Sequence, residues 1–246
     1  MRNVIAGNWK MHLGPSQTRE YFRAFRLPDG DGSSDVVIFP PAISLAAALS
    51  SSERDSRVAL GVQNIHSEEK GAFTGEISAP MAVDAGARYT LIGHSERRHV
   101  FGETDADVTR KVKAALRHGL TPMICVGEKL EQRRARRVEE VILGQLDAAL
   151  QEVAGAGFLI AYEPVWAIGT GETATPRDAQ DAHSTLRRRL VARLGPAATE
   201  VPILYGGSVK PENAAELLAE PDVNGLLVGG ASLDPTSFAR IVAAGW

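Results

Sequence analysis

The sequence predicts a closed (β/α)8 barrel, in which eight parallel strands are surrounded by helices and residues 1–246 form a single domain. Eight short apolar runs recur along the chain, and a helical stretch follows each of them. The runs are hydrophobic throughout, which is typical of parallel strands covered on both faces. A length of 246 residues also suits one such barrel.

The predicted strands are short and end at proline, glycine or polar residues. In chain order they cover 4–7, 36–39, 58–62, 89–93, 121–126, 158–162, 203–205 and 225–228. An open doubly wound sheet also alternates strands with helices, and its dinucleotide-binding form carries G-x-G-x-x-G after the first strand. The first strand here ends in Gly7-Asn8-Trp9-Lys10, which gives that form no support.

Capping residues and apolar spacing predict the helices. Ser16 is the predicted N-cap of the first helix, and Thr175 followed by Pro176 predicts the start of a later one. A long helix is expected without a break from 131 to 153. The full set is 16–26, 43–49, 80–85, 105–118, 131–153, 175–194, 211–219 and a last helix opened by Asp234-Pro235.

Composition excludes several classes of function. A net charge of −3 provides no long-range field that would attract nucleic acid or an anionic membrane surface. No apolar run approaches the roughly 18 residues of a membrane span, and the N-terminus lacks the apolar core of a signal peptide. Cys125 is the only cysteine, so no internal disulfide or cysteine-based metal cluster can form. We therefore expect a cytoplasmic protein with neither a nucleic-acid nor a membrane partner.

Barrel enzymes carry their reactive groups at the C-terminal ends of the strands. Polar and charged side chains end the first, third, fourth and sixth strands: Asn8, Lys10, Asn64, His94, Glu96 and Glu163. Glycine-rich turns end the last two strands: 206–208 and 229–230. Because glycine leaves backbone N–H groups accessible, these turns predict a phosphate site, a feature that any phosphate-binding barrel could share.

The sixth strand ends in an arrangement typical of a catalytic base under a lid. Glu163 follows the apolar strand directly, and Pro164 ends the strand. The apolar stretch 165–168 comes next, bounded by glycines in 169–171. Such a stretch is too hydrophobic to rest in water, so residues 164–171 are predicted to close over a substrate and exclude water.

Six stretches carry a more specific pattern: 8–11, 71–76, 93–98, 161–171, 205–209 and 227–233. In order and in spacing they resemble the motifs of the triosephosphate isomerase family, and the resemblance covers the whole chain. It implies interconversion of dihydroxyacetone phosphate and D-glyceraldehyde 3-phosphate through an enediolate, in glycolysis and gluconeogenesis. It also implies that the reaction needs no cofactor and no metal.

The resemblance further implies a role for each site residue. Glu163 resembles the base, His94 a neutral electrophile, and Lys10 the cation that stabilises developing negative charge. Glu96 resembles an acid placed behind these groups. The residues implied to bind substrate are Asn8, Lys10, Gly169, Ser208, Gly229 and Gly230.

Three features lie outside the catalytic set. Residues 63–76 resemble the loop through which the family forms homodimers, with Thr74 reaching the partner; a self-packed surface loop is the alternative. Cys125 resembles a structural cysteine. The arginine cluster, defined as Arg133, Arg134, Arg136 and Arg137, is expected to be a solvated helix face.

Two other functions stay open on the sequence alone. Another phosphate-binding barrel enzyme, such as a lyase or a sugar-phosphate epimerase, would share the glycine turns. A catalytically silent binding barrel would share the fold, although the presence of both Glu163 and His94 argues against it.

Overall fold

The computed structural model describes residues 2–30, 32, 34–52, 57–153, 157–168 and 174–246. Eight parallel strands pair in sequence order, and the last pairs with the first to close the barrel. They are β1 (Asn3–Asn8), β2 (Ser34–Phe39), β3 (Val58–Val62), β4 (Tyr89–Ile92), β5 (Thr121–Val126), β6 (Leu159–Tyr162), β7 (Ile203–Tyr205) and β8 (Gly225–Val228). The predicted fold class is confirmed.

Ten α-helices surround the barrel in the described ranges. They are α1 (Pro15–Ala24), α2 (Leu45–Ser52), α3 (Ala79–Asp84), α4 (Ser95–His99), α5 (Asp105–Arg117), α6 (Leu130–Arg134), α7 (Val138–Leu150), α8 (Pro176–Leu194), α9 (Ala214–Leu218) and α10 (Pro235–Ala244). Short 3-10 turns occur at Ala42–Ser44, Val165–Ala167, Pro196–Glu200 and Gly230–Leu233. Within these ranges, no helix combines the length and hydrophobicity needed to cross a bilayer.

Successive residues of each strand enter two different apolar layers. In β1, Val4 and Ala6 pack inside the barrel, whereas Ile5 packs outward beneath the helices. Cys125 belongs to the interior layer, where burial raises the pKa of its thiol, as suits a structural cysteine. Since both faces of each strand are buried, the strands are apolar throughout, and each large side chain removed from water contributes about 1.5–3 kcal/mol.

The first helix begins earlier than predicted, and the predicted N-cap at Ser16 is wrong. Gly14 is the N-cap and Pro15 the first helical residue. The side chain of Gln17 accepts the Gly14 N–H at 3.2 Å, and the Thr18 N–H donates to the Gly14 carbonyl at 2.9 Å. Proline suits this position because it has no N–H to leave unsatisfied. The cap predicted at Thr175 is confirmed.

The long helix predicted over 131–153 is two helices, α6 and α7. Arg136 lies between them with φ of 57°, and its N–H donates to the Arg133 carbonyl at 2.9 Å. This turn separates the members of the arginine cluster. Arg134, Arg136 and Arg137 are exposed as expected, but Arg133 is half-buried, so the prediction of a solvated face is wrong for it.

Candidate active site

Glu163 and His94 meet at the C-terminal end of the barrel. The main chain of Glu163 continues the sheet, since its N–H donates to the Val126 carbonyl at 2.8 Å. Its side chain is only 3% exposed, and Oε1 lies 2.9 Å from His94 Nε2. The Ser95 backbone N–H donates to Oε2 at 3.0 Å. Both carboxylate oxygens therefore have partners from the segment that follows β4.

Burial and hydrogen bonding act in opposite directions on Glu163. Burial raises the pKa of this carboxyl group, but His94, the Ser95 N–H and Lys10 lower it by more, so the net direction is downward. In this position Glu163 is therefore a stabilised carboxylate. It is a weaker base than it would be after leaving these partners.

His94 is the N-cap of α4. Burial lowers the pKa of its imidazole, but the nearby Glu163 carboxylate raises it by more. Nδ1 accepts the Glu96 backbone N–H at 3.3 Å, which leaves the ring proton on Nε2, facing Glu163. A neutral ring makes both contacts, whereas a doubly protonated ring would lose the one at Nδ1. The hydrogen bonding fits the neutral state expected from the sequence, whereas the raised pKa favours a charged ring as long as the Glu163 carboxylate lies beside it. The neutral state stays a prediction.

Lys10 is held next to this pair by the end of β1. It has φ of 50°, and its N–H donates to Asn8 Oδ1 at 3.0 Å. The side-chain amide of Gln63 donates to the Lys10 carbonyl at 2.8 Å. The ammonium group lies 2.6 Å from Glu96 Oε1. Lys10 is therefore fixed at both its backbone and its charged end.

A cavity of about 240 Å3 is lined by five of the six polar and charged strand-end residues, all except Glu163. Its lining includes Asn8, Lys10, Asn64, His94 and Glu96. A larger cavity of about 350 Å3, lined by other residues, contains none of the predicted site residues. The smaller cavity thus lies beside the predicted catalytic groups, and Glu163 adjoins it through its contact with His94.

The glycine turn after β8 lies close to Lys10. A Cβ atom added at Gly229 would be 3.7 Å from Lys10 Cε. The N–H groups of Ser208, Gly229 and Gly230 have no hydrogen-bond acceptor among the described residues. Backbone donors beside an ammonium group can hold a phosphate. Gly169, the remaining predicted binding residue, lies outside the described residues.

The first part of the predicted lid packs against the end of β5. Residues Val165–Ala167 form a 3-10 turn, and the Trp166 indole N–H donates to Glu128 Oε1 at 2.8 Å. Residues 169–171 of the lid lie outside the described ranges. Glu128 is fully buried and also accepts the Tyr162 hydroxyl at 3.0 Å.

The loop 63–76 buries Ile65 at its base but leaves an apolar side chain partly exposed at its tip. Phe73 stacks on the ring of His66 at 4.0 Å, yet its side chain is 43% exposed. Thr74 is exposed at the same tip. Near the cavity, Met11 is 94% and Phe101 65% exposed. Such an apolar surface is typical of a protein interface.

Three residues of the site were not among the predicted ones. Ser95 binds the carboxylate of Glu163, Gln63 holds Lys10, and Glu128 anchors Trp166. Gln63 directly follows β3 and Glu128 is the second residue after β5, so the strand-end rule applied to every strand would have found them. Ser95 acts mainly through its backbone N–H, which no sequence pattern indicates.

Comparison with known proteins identifies the group to which this chain belongs. A family model described as triosephosphate isomerase matches residues 3–245. The triosephosphate isomerase of Halorhodospira halophila is 51% identical over 247 residues, covering 99% of this chain and 98% of that protein. That of Chloroflexus aurantiacus is 50% identical over 243 residues, covering 97% of each. The chain belongs to the triosephosphate isomerase family.

Membership of the triosephosphate isomerase family applies to the whole barrel, since the match runs from β1 to the end of α10. The triosephosphate isomerase of Moorella thermoacetica gives the same result at 48% identity, with 98% of each chain covered. The family resemblance drawn from the six sequence stretches is therefore confirmed.

Proposed function

We propose that this chain is a triose-phosphate isomerase, acting as one catalytic domain over residues 1–246. It interconverts dihydroxyacetone phosphate and D-glyceraldehyde 3-phosphate, in glycolysis and gluconeogenesis. The observation that supports this most directly is the 2.9 Å contact between a buried carboxylate, Glu163, and the imidazole of His94. Lys10 acts on the same carboxylate, and Gly229, whose N–H has no acceptor among the described residues, lies close to Lys10.

The reaction moves one proton between adjacent carbons through an enediolate, which requires a base and a group that stabilises the oxygens. We assign the base to Glu163, whose rotation away from Ser95 and His94 removes the interactions that lower its pKa. A positioned general base contributes a factor of about 10²–10⁴. In this scheme, Glu163 is a weaker base before substrate binds than after it has left these partners.

His94 is assigned as the neutral electrophile. Once Glu163 has moved, the Nε2 proton is available to donate to the oxygen that becomes negatively charged. The Glu96 N–H at Nδ1 disfavours a second ring proton. Lys10 stabilises the same negative charge as an electrostatic group, and Glu96 holds its ammonium group in the absence of substrate. No step of this scheme uses a cofactor or a metal.

The phosphate is assigned to the backbone N–H groups of Ser208, Gly229 and Gly230, with Asn8 and Lys10 on the carbon skeleton. Gly169 and the lid 164–171 complete this assignment from the sequence. Excluding water by closing such a segment protects the enediolate from losing its phosphate.

We also propose a cytoplasmic homodimer formed through residues 63–76. In it, Thr74 reaches toward the Asn8 and Lys10 region of the partner subunit. The exposed side chains of Phe73, Met11 and Phe101 support this arrangement, since a second subunit would cover them.

A coupled assay tests the proposed activity. Wild-type protein is expected to convert D-glyceraldehyde 3-phosphate, and Glu163→Gln is expected to lose about 10²-fold or more in kcat. Arg134→Gln, at an exposed position on α6, is the matched control. An inactive wild type would refute the isomerase, and full activity in Glu163→Gln would refute the assigned base.

A further inference from the structure

Arg133 differs from the rest of the arginine cluster in what it contacts. It lies half-buried on α6, and its guanidinium contacts residues from three separate segments. These are Glu128 after β5, Trp166 after β6, and Asp178 in the first turn of α8. A side chain on a merely solvated face would not make three such contacts.

Arg133 supplies the charge that opposes a buried carboxylate. Glu128 is fully buried, and the neutral donors that reach it are the Tyr162 hydroxyl and the Trp166 indole. Arg133 Nη1 lies 3.6 Å from Glu128 Oε1, and no other basic side chain in the described part of the chain lies within 4.0 Å of that carboxylate. Because an uncompensated buried charge is costly, loss of Arg133 would disturb Glu128.

Glu128 in turn holds the chain on both sides of Glu163. The hydroxyl of Tyr162, the residue before Glu163, donates to the Glu128 carboxylate. The indole of Trp166, three residues after it, donates to the same group at 2.8 Å. The Val165 N–H donates to the Glu128 carbonyl at 3.1 Å. Any shift of Glu128 is therefore transmitted to the segment that carries Glu163.

The other contacts of Arg133 fix the flanking segments directly. Its Cζ atom lies 4.5 Å from the centroid of the Trp166 ring, a cation–π contact. Its Nη2 atom lies 2.5 Å from Asp178 Oδ1. The other oxygen of Asp178 accepts the Thr175 N–H at 3.0 Å and caps α8. Arg133 thus connects the turn after β6 with the start of the next helix.

We propose that Arg133 is a positioning residue for Glu163, acting through Glu128 and Trp166. The inference rests on the proposed function, in which Glu163 is the base. Small misplacements of a reacting group cost much of the rate, so an indirect effect on the position of Glu163 is measurable in kcat. The planar guanidinium suits the task because it can pair with a carboxylate at its edge and stack on an indole at its face.

Substitutions separate the charge of Arg133 from its shape. Arg133→Met removes the charge and keeps an apolar stem, while Arg133→Lys keeps the charge and loses the planar fork. Asp178→Asn removes the opposite charge but keeps an acceptor oxygen for the Thr175 cap. Arg134→Met, exposed on the same helix, is the matched control. Far-UV circular dichroism establishes that each variant is folded.

The measurements are kcat and KM with D-glyceraldehyde 3-phosphate, and the indole Nε1–H resonance of Trp166, assigned by its loss in Trp166→Phe. Arg133→Met is expected to lower kcat about 10-fold with a smaller change in KM, and to shift the indole resonance. Arg133→Lys is expected to recover part of the loss, and Asp178→Asn to show a smaller change in the same direction. Arg134→Met should match wild type in both readouts.

Wild-type kcat in folded Arg133→Met would overturn the inference, whether or not the indole resonance moves. An equal loss of kcat in Arg134→Met would overturn it as well. If Arg133→Met does not fold, a wild-type kcat and an unmoved indole resonance in both Arg133→Lys and Asp178→Asn would overturn the inference. Inactive wild-type protein would refute the proposed function. An unmoved Trp166 indole resonance in folded Arg133→Met would refute only the link from Arg133 to Trp166.

Discussion

The backbone of Gly206 lies directly against the side chain of Glu163. A Cβ atom added at position 206 would be 3.0 Å from Cγ of Glu163, closer than such atoms normally approach. The Gly206 N–H donates to the Tyr162 carbonyl at 2.8 Å, so the sheet holds this backbone in place. The end of β7 therefore leaves the space that the Glu163 side chain occupies.

Gly206→Ala is accordingly expected to reduce kcat about 10-fold by displacing Glu163. Overpacking should also lower the free energy of unfolding by about 1–3 kcal/mol. Steady-state kinetics and urea unfolding measure the two effects. Gly144→Ala on α7, where nothing lies within 4 Å of the added atom, is the matched control and should stabilise by about 0.5–1 kcal/mol. Wild-type kcat in Gly206→Ala would contradict the assigned role of this space.

The strands were predictable because their apolar pattern follows from burial on both faces. Val58–Val62 and Thr121–Val126 match the predicted ranges to the residue. The five-residue helix α4 was missed because it is too short to show helical periodicity. The break after α6 was missed because it depends on a backbone turn at Arg136, a residue type that carries no turn signal.

In the candidate site, too, some residues were predictable from the sequence and others were not. Its side chains were predictable because parallel strands end at one face of a barrel, as with Lys10 and Glu163. The hydrogen-bond partners of these side chains were harder to predict. The Ser95 N–H, for example, belongs to the backbone and binds Glu163, which is 68 positions away in sequence. Arg133 was misjudged because composition cannot distinguish a solvated arginine from one stacked on an indole.

The proposed dimer predicts that Phe73→Asp weakens association. A carboxylate at this exposed apolar tip would have to be buried in the interface, which should cost about 2 kcal/mol or more. Analytical ultracentrifugation over a range of protein concentrations should therefore show more monomer than wild type.

The matched control for this substitution is Ala192→Asp, which adds the same charge at an exposed position on α8. It should leave the dimer unchanged. A wild-type protein that sediments as a monomer at all concentrations would contradict the dimer, and an unchanged dimer in Phe73→Asp would exclude the tip of the loop from the interface.

His183 predicts a loss of stability in mild acid. It is fully buried on α8, its ring packs edge-on against Tyr162 at 5.8 Å, and its Nδ1 atom lies 3.0 Å from the Asp222 carbonyl. Burial lowers the pKa of His183 to about 4, whereas an unfolded histidine titrates near 6.5. Between these values the unfolded chain binds the proton and the folded chain does not, so stability falls as the pH decreases from about 6.5 to about 4.

At pH 5 this one group should lower the free energy of unfolding by about 2 kcal/mol relative to pH 7. Urea unfolding at both pH values measures the difference. His183→Gln should be less stable than wild type at pH 7 because the ring no longer packs against Tyr162. Its change in the free energy of unfolding between the two pH values should, however, be about 2 kcal/mol smaller than that of wild type. His12→Gln, on an exposed histidine, is the control for general acid effects. An equal pH dependence in His183→Gln and wild type would mean that the buried imidazole is not what makes the fold sensitive to acid.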